Sequence, residues 1–145
     1  YNSYLGNRYY IILFPFQFSF ELIEIIVRNR KYYHDYEFVF ERKEYAKGTG
    51  GGYYATKLAC LEGLKKIKRQ ASIIVVREID EFFPIGVWKV REAVRDTFNK
   101  SFIKFEEIDS VIKYLNLKLA TKDYWFKISK LIKILRNQKS IFTFV

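Results

Sequence analysis

The sequence predicts an α+β domain, a mixed α/β arrangement in which a small β-sheet packs with about four helices. Half of the 145 residues are apolar, which is enough to form a buried core. Segments rich in β-branched and aromatic residues come first and segments with helical spacing follow, an order typical of α+β folds. The length allows one domain. We place it at residues 1–137 and expect residues 138–145 to form a flexible C-terminal peptide tail.

The predicted strands are short apolar runs. Tyr9–Phe14 is a continuous run that favours a buried strand, and Pro15 ends it. Gln17–Val27 predicts a second extended segment. Ser72–Arg77 carries apolar residues on both faces, which favours an internal position in the sheet.

The predicted helices show apolar residues at spacings of three and four. They cover four segments: Tyr53–Arg69, Val87–Phe98, Glu106–Leu115 and Thr121–Arg136. Pro84 and Gly86 predict a loop before the second helix. We expect Thr121 to be the N-cap of the last helix. The predicted buried stripe of that helix consists of Trp125, Ile128, Leu131, Ile132 and Leu135.

The charge of the chain indicates an anionic partner. Lys and Arg total 26 against 16 Asp and Glu, so the formal net charge is +10 and the isoelectric point is near 9.6. The excess lies in residues 48–145, because the first 47 residues are almost balanced. A basic excess of this size favours nucleic acid as a partner and says nothing about the fold.

Cysteine content and apolar run length bear on location. Cys60 is the only cysteine, which excludes a disulfide framework and a multi-cysteine zinc site within this chain. We expect Cys60 and the single histidine, His34, to be structural. A reducing, cytoplasmic location fits best. The longest apolar run, Tyr9–Phe20, is too short to span a bilayer, so no membrane partner is expected.

The glycine-rich segment Gly48–Gly52 directly precedes the first predicted helix. A glycine turn that leads into a helix presents backbone N–H groups and the positive end of the helix dipole, which favours a phosphate. The alternative is a flexible connector or hinge. Basic residues later in the chain are the second candidates, with an ordinary solvated surface as the alternative. The predicted phosphate or nucleic-acid contacts are Gly50, Gly51, Gly52, Lys68, Arg69, Arg91 and Arg95.

Interleaved aromatic residues and carboxylates offer further chemistry. Tyr53, Tyr54 and Trp88 are candidates for base stacking, although a chain this aromatic buries most of its rings. The candidate catalytic carboxylates are Asp35, Glu37 and Glu44. An acid followed by Glu-x-Lys, here Asp35 followed by Glu41-Arg42-Lys43, is the skeleton of a metal-dependent nuclease signature in which carboxylates hold Mg²⁺ and the lysine orients the attacking water. The alternative is ordinary ion pairing, for example of Glu78 with the adjacent Arg77 and of Glu92 with nearby arginines.

The last eight residues have the spacing of a peptide that binds a sliding clamp (a PIP-like motif). Gln138 is followed by Ile141 three positions on and by Phe144 six positions on. One helical turn would place Ile141 and Phe144 on one side as a plug for an apolar pocket, with Gln138 in a polar pocket beside it. Val145 stands where such peptides commonly carry a second aromatic. The alternative is a last strand that packs on the domain.

Several ordered motifs connect these features to a known family. They are Asp35-Tyr36-Glu37, Arg42-Lys43-x-Tyr45-Ala46, Gly50-Gly51-Gly52-Tyr53-Tyr54-Ala55 with Leu58-Ala59 and Leu61-Glu62, Lys68-Arg69-Gln70-Ala71, Arg77-Glu78-Ile79, Pro84-x-Gly86-Val87-Trp88, Val90-Arg91-Glu92-x-Val94-Arg95 and the glutamine-led tail. Together they resemble the C-terminal region of the archaeal Nre family of DNA repair proteins. Glu41 departs from the family pattern, which has Gly before the Arg-Lys pair.

The resemblance implies a part in DNA damage repair, with the tail recruiting the archaeal sliding clamp, PCNA. Family members also carry a four-cysteine metal site near the N-terminus, so a zinc ion would belong to a part that this chain lacks, and no cofactor is expected within it. The chain has no Met and starts at Tyr1, and we expect it to be the C-terminal portion of a longer protein. No reaction carries over residue by residue.

Three functional hypotheses follow. The leading one is a DNA damage repair factor that contacts DNA through its basic surface and is recruited by PCNA through the tail. The alternative is an enzyme of DNA repair, a metal-dependent nuclease or a nucleotide-processing domain. A protein-binding adaptor without DNA affinity is the third. Whether the chain is an enzyme is left open by the sequence.

Overall fold

The computed structural model describes residues 2–80 and 85–137, and it confirms the α+β fold class. Its strands are β1 (Asn2–Tyr4), β2 (Asn7–Phe14), β3 (Ser19–Ile26), β4 (Lys31–Glu37) and β5 (Ser72–Ile79). Its helices are α1 (Gly51–Ile67), α2 (Val87–Phe98), α3 (Ile108–Lys118), α4 (Tyr124–Ile128) and α5 (Lys130–Asn137).

The five strands form one mixed sheet with the order β1-β2-β5-β3-β4. Strand β5 lies at its centre, antiparallel to β2 and parallel to β3. Every residue of β5 is buried, as expected for a strand that is covered on both faces. The internal position predicted for Ser72–Arg77 is therefore confirmed.

The helices cover the two faces of the sheet. We call the face that α1 and α2 cover the front face, and the face that α3, α4 and α5 cover the back face. Alternate residues of each strand point to opposite faces. The front core includes Phe20, Leu22, Ile73 and Val75 with Tyr53, Leu64 and Val90. The back core includes Ile23, Ile25, Ile74 and Val76 with Ile112, Trp125 and Leu131.

Helices α1 and α2 pack closely over the front face because of one glycine. A Cβ added at Gly63 of α1 would lie 2.4 Å from a ring carbon of Phe98 in α2, so only glycine allows this contact. Cys60 is fully buried in the same core, which confirms its structural prediction. Burial raises the pKa of the Cys60 thiol, so the thiol is inert at neutral pH.

The helix predicted at Thr121–Arg136 was wrong in its continuity, because Ser129 divides it into α4 and α5. Ser129 has extended backbone angles, and its Oγ accepts a hydrogen bond from the N–H of Ile132 at 3.1 Å, as an N-cap does. Thr121 is not the cap that was predicted. Its N–H and its hydroxyl both donate to Glu78.

Strand β4 was not predicted, because its sequence Lys31–Glu37 is polar and aromatic rather than apolar. Among the described residues it lies at the edge of the sheet, a position at which polar residues are tolerated. The predicted tail at residues 138–145 lies outside the described residues. Across the described ranges, no helix is long and apolar enough to cross a bilayer.

Candidate functional site

A row of polar side chains crosses the front face at the carboxyl ends of β3 and β5. Strand register places Arg77 of β5 opposite Tyr9 of β2 on one side and opposite Glu24 of β3 on the other. Arg77 donates from one terminal nitrogen to Glu24 Oε1 at 2.7 Å and from Nε to Asn7 Oδ1 at 2.8 Å. These side chains are buried. Burial raises the pKa of Glu24, although the Arg77 guanidinium opposes that shift.

Two of the three carboxylates singled out in the sequence join this row from β4. Asp35 and Glu37 are two residues apart on the strand, so both face the front, where both are buried. Lys57 Nζ lies 2.6 Å from Glu37 Oε1, so the two side chains form an ion pair. The third carboxylate, Glu44, is exposed and lies outside the cluster.

Asp35 organises the glycine-rich turn before α1. Its Oδ2 accepts hydrogen bonds from the N–H of Thr49 at 2.6 Å and from the Thr49 hydroxyl at 2.8 Å. Arg42 approaches its Oδ1 at 3.4 Å. The chain thus supplies an anion of its own just before the N-terminus of α1. Phosphate binding at Gly50–Gly52 remains a prediction.

Backbone conformation and close contacts explain why glycine occupies positions 50 to 52 of this turn. Gly50 has a φ of +56°, a left-handed conformation that favours glycine. A Cβ on Gly51 would lie 3.0 Å from Val87 at the start of α2, and a Cβ on Gly52 would lie 3.3 Å from Glu24 Oε1. The turn therefore brings the N-termini of α1 and α2 together and places Gly52 close to Glu24.

Three buried hydroxyl groups near this cluster have no hydrogen-bond partner among the described residues: those of Tyr9, Thr56 and Tyr53. A buried hydroxyl without a partner costs about 1–3 kcal/mol. Burial, and next the negative charge of Glu37, raise the pKa of Tyr53. We define the front-face cluster as Glu24, Asp35, Glu37, Arg42, Lys57 and Arg77 with these hydroxyls. Its charged groups balance, with three carboxylates and three cations.

The predicted basic contacts do not form one site. Lys68 and Arg69 are exposed at the C-terminal end of α1. The helix has 17 residues, so they lie about 25 Å from the glycine turn at 1.5 Å per residue. Arg95 of α2 is held by Glu62 of α1 and by Glu92. Arg91 lies 3.9 Å from Glu92, which fits the ion-pairing alternative for that carboxylate.

The three aromatic candidates for base stacking differ in their exposure to solvent. Tyr53 is fully buried, where its ring meets the edge of Phe20 at 5.1 Å, so it cannot stack on a base. Tyr54 is exposed and stacks on Tyr45 at 5.2 Å. Trp88 is exposed at the start of α2. Two of the three predicted rings therefore remain accessible.

Two further buried carboxylates hold the back face together, and sequence reasoning missed their role. Glu21 accepts hydrogen bonds from Ser129 Oγ at 2.6 Å and from the N–H of Lys130 at 2.7 Å, at the start of α5, and from His34 Nε2. Glu78 accepts the bonds of Thr121 described above and lies 3.4 Å from Arg8. The pairing of Glu78 with Arg77 was therefore wrong, because adjacent residues of a strand point to opposite faces.

The sequence also missed Glu24, Arg42 and Lys57 as members of the front-face cluster. One signal was present. Glu24 stands in the otherwise apolar segment Leu22–Ile26, and a carboxylate in a buried strand needs a compensating partner. Arg77 interrupts an apolar strand in the same way. Within residues 2–80 and 85–137, no group of three or more His, Cys, Asp or Glu side chains could hold a metal ion.

The predicted clamp contacts, Gln138, Ile141, Phe144 and Val145, lie outside the described residues. The tail and its alternative, a packed last strand, therefore both remain predictions.

Comparison with known proteins gives one family. Residues 37–144 match the family model described as archaeal Nre, C-terminal. The DNA repair protein NreA of Haloferax volcanii is 32% identical over 135 residues, 82% of this chain and 32% of that protein. NreA of Archaeoglobus fulgidus is 31% identical over 137 residues, 88% of this chain and 35% of that protein.

The same organism's DNA repair protein NreB is 39% identical over 103 residues, 68% of this chain and 26% of that protein. The chain therefore spans about a third or less of the length of these relatives. No solved structure matches it.

Proposed function

This chain belongs to the archaeal Nre family, and we propose that it acts in DNA repair, as the names of its relatives indicate for those proteins. The family match over residues 37–144 is the observation that carries the proposal. The matched region includes four charged members of the front-face cluster, namely Glu37, Arg42, Lys57 and Arg77, whereas Glu24 and Asp35 precede it.

We propose that the chain contacts DNA through its basic surface. The net charge of +10 supports this proposal, because neutralised phosphates release counterions and so favour binding. Lys68 and Arg69 are exposed, whereas Arg95 is engaged by two carboxylates. The first pair is therefore better placed to meet phosphates.

A salt titration of DNA affinity tests this contact. The variant Lys68→Gln/Arg69→Gln should flatten the log–log slope by about one to two. The matched control is Lys113→Gln/Lys133→Gln, which removes the same charge from exposed positions of α3 and α5. If both variants change the slope equally, net charge acts without a defined contact at Lys68 and Arg69.

We also propose that the tail recruits the sliding clamp PCNA. The spacing of Gln138, Ile141 and Phe144 supports this proposal. Phe144→Ala should weaken clamp binding by about 2 kcal/mol or more. Phe142→Ala is the matched control, because Phe142 lies outside the motif spacing. Equal losses in the two variants, or none in either, would contradict the motif.

The second candidate function is enzymatic: a nuclease or nucleotide-processing activity at the front-face cluster. Buried charges and unpartnered hydroxyls are typical of sites shaped by function. Glu37→Gln should abolish cleavage of damaged or branched DNA in the presence of Mg²⁺, with the fold retained.

A further inference from the structure

An apolar pocket lies beside the front-face cluster and shares Glu37 and Lys57 with it. It has a volume of about 250 Å³ and lies between the segment after β4 and the middle of α1. Its walls include Phe18, Phe38, Phe40 and Leu61. Its polar groups include both members of the ion pair between Glu37 and Lys57.

The rim of this pocket exposes apolar side chains to solvent. Phe40 is 87% exposed, and Val39 and Leu61 on the same pocket are also exposed. Exposed apolar groups gathered at one place mark interaction sites rather than ordinary surface. The pocket therefore has the composition of a binding site, with apolar walls and a few polar groups.

The ion pair restricts what the pocket can hold. Lys57 uses one of its three ammonium protons on Glu37, and the Glu37 carboxylate has further lone pairs. A purely apolar occupant would exclude water from these groups and leave them unpaired, which is unfavourable. A suitable occupant has a flat face for the aromatic walls and an edge that carries both donors and acceptors.

We propose that the pocket takes an unpaired nucleobase of single-stranded DNA. The base stacks on Phe40, Glu37 accepts from its edge, and Lys57 donates to its edge. Only an unpaired base can enter, because paired bases present their edges to each other. This inference rests on the proposed DNA repair function and names the form of DNA that the site recognises.

One exposed cation beside the pocket, Lys43, can meet a phosphate of a nucleic-acid strand. Arg42 and Lys43 directly follow Glu41, which lies on the pocket. Lys43 is exposed, whereas the Arg42 guanidinium is engaged by Asp35 and by two backbone carbonyl groups. Cations next to an aromatic surface are the arrangement by which proteins hold single strands, with phosphates on the cations and bases on the rings.

The test compares three DNA ligands with the whole chain by fluorescence anisotropy: a mixed-sequence single strand, the same strand annealed to its complement, and an abasic strand of equal length. The parent should bind the base-containing single strand most tightly. Phe40→Ala should weaken that binding about 5-fold to 150-fold and leave the other two affinities unchanged. Phe40→Trp should restore it, since the variant again offers an aromatic face.

Leu117→Ala is the matched control. Leu117 is 84% exposed on α3, nearly as exposed as Phe40 but outside the pocket, so its removal should change none of the three affinities. Both Ala variants remove an exposed side chain, and circular dichroism should show them folded like the parent.

Each contrary outcome has its own meaning. If the parent binds the abasic strand as tightly as the base-containing one, or if Phe40→Ala changes nothing, the pocket is not a base site, while a salt-dependent DNA contact can still stand. If the parent binds no DNA, the proposed DNA contact fails as well.

If deoxynucleoside monophosphates compete as effectively as the strand, the ligand is a free nucleotide. If Phe40→Ala abolishes PCNA binding alone, the pocket is a protein-docking surface. Each of these results overturns the inference.

Discussion

The buried carboxylates on the two faces of the sheet are stabilised by different kinds of partner. On the back face, Glu21 and Glu78 accept hydrogen bonds mainly from backbone N–H groups and hydroxyls that begin or connect helices. On the front face, Glu24 and Glu37 pair with the side chains of Arg77 and Lys57. The back-face carboxylates thus fix the chain path, whereas Glu24 and Glu37 on the front face are held mainly by charged side chains. Asp35 is the front-face exception, because it accepts hydrogen bonds from the N–H and hydroxyl of Thr49.

The unpartnered hydroxyl groups sharpen the contrast. Among the described residues, the buried hydroxyls without a partner belong to Tyr9, Tyr53 and Thr56. All three residues lie on or against the front face, since Tyr9 and Tyr53 belong to its core and Thr56 is on α1. On the back face, Tyr10 donates its hydroxyl to the carbonyl of Lys118 at 3.3 Å. Polar groups on the back face therefore stabilise the fold, and the front face carries the candidate function.

The largest expected effect is at Glu21. Glu21→Ala should lower the free energy of unfolding by about 3–5 kcal/mol, because it leaves three buried or partly buried donors at the start of α5 unpaired. Guanidinium denaturation of the variant measures this change. Glu44→Ala, at an exposed position, should stay within about 0.5 kcal/mol of the parent. Similar losses of unfolding free energy in both variants would contradict a structural role for Glu21.

The front-face pair should behave differently under double substitution. Glu24→Leu alone should cost about 2–3 kcal/mol, since Arg77 loses its charged acceptor. Glu24→Leu/Arg77→Leu should recover most of that loss, because two apolar side chains can replace a buried ion pair. No matching rescue exists for Glu21, whose partners include backbone groups. A double-mutant cycle by chemical denaturation measures the coupling, and purely additive losses would contradict it.

A smaller effect separates two buried tyrosines. Tyr53→Phe should leave the free energy of unfolding unchanged or raise it by up to about 1 kcal/mol, because it removes a hydroxyl with no partner in the described structure. Tyr10→Phe should lower it by about 1 kcal/mol, because a hydrogen bond is lost. Thermal and urea unfolding compare the two variants. If Tyr53→Phe were the more destabilising of the two, the proposed difference between the front-face and back-face hydroxyls would be contradicted.

The parts of the fold that the sequence predicted are those that local pattern determines. Val87–Phe98 matches α2 at both ends, and the apolar run Ser72–Arg77 matches most of β5. The division of the last helix at Ser129 could not be predicted, since its cause is a hydrogen bond to Glu21, which is 108 residues away.

The members of the front-face cluster also differ in whether the sequence could identify them. Asp35 and Glu37 could be selected from the sequence because they stand two residues apart. Glu24 and Arg77 are 53 residues apart and meet only because β3 and β5 are parallel neighbours. Lys57 reaches Glu37 from α1, across the interface between helix and sheet. Pairings of this kind depend on strand order, which residue spacing does not contain.

The smallest effect concerns a carboxylate that belongs to neither face. Glu62 of α1 is exposed and accepts two hydrogen bonds from Arg95 of α2. The hydrogen bond from Arg95 lowers the pKa of Glu62 below the ordinary value of a glutamate. A lowered folded-state pKa stabilises the protein above the unfolded-state pKa, and this contribution disappears as the pH falls through the folded-state value.

Glu62→Gln should therefore lower the melting temperature only slightly at neutral pH, and parent and variant should converge in acid. High salt should also reduce the difference, because exposed ion pairs are screened. Thermal melts across pH at low and high salt measure this. A pH-independent difference would show that Glu62 acts through packing of α1 on α2 rather than through its charge.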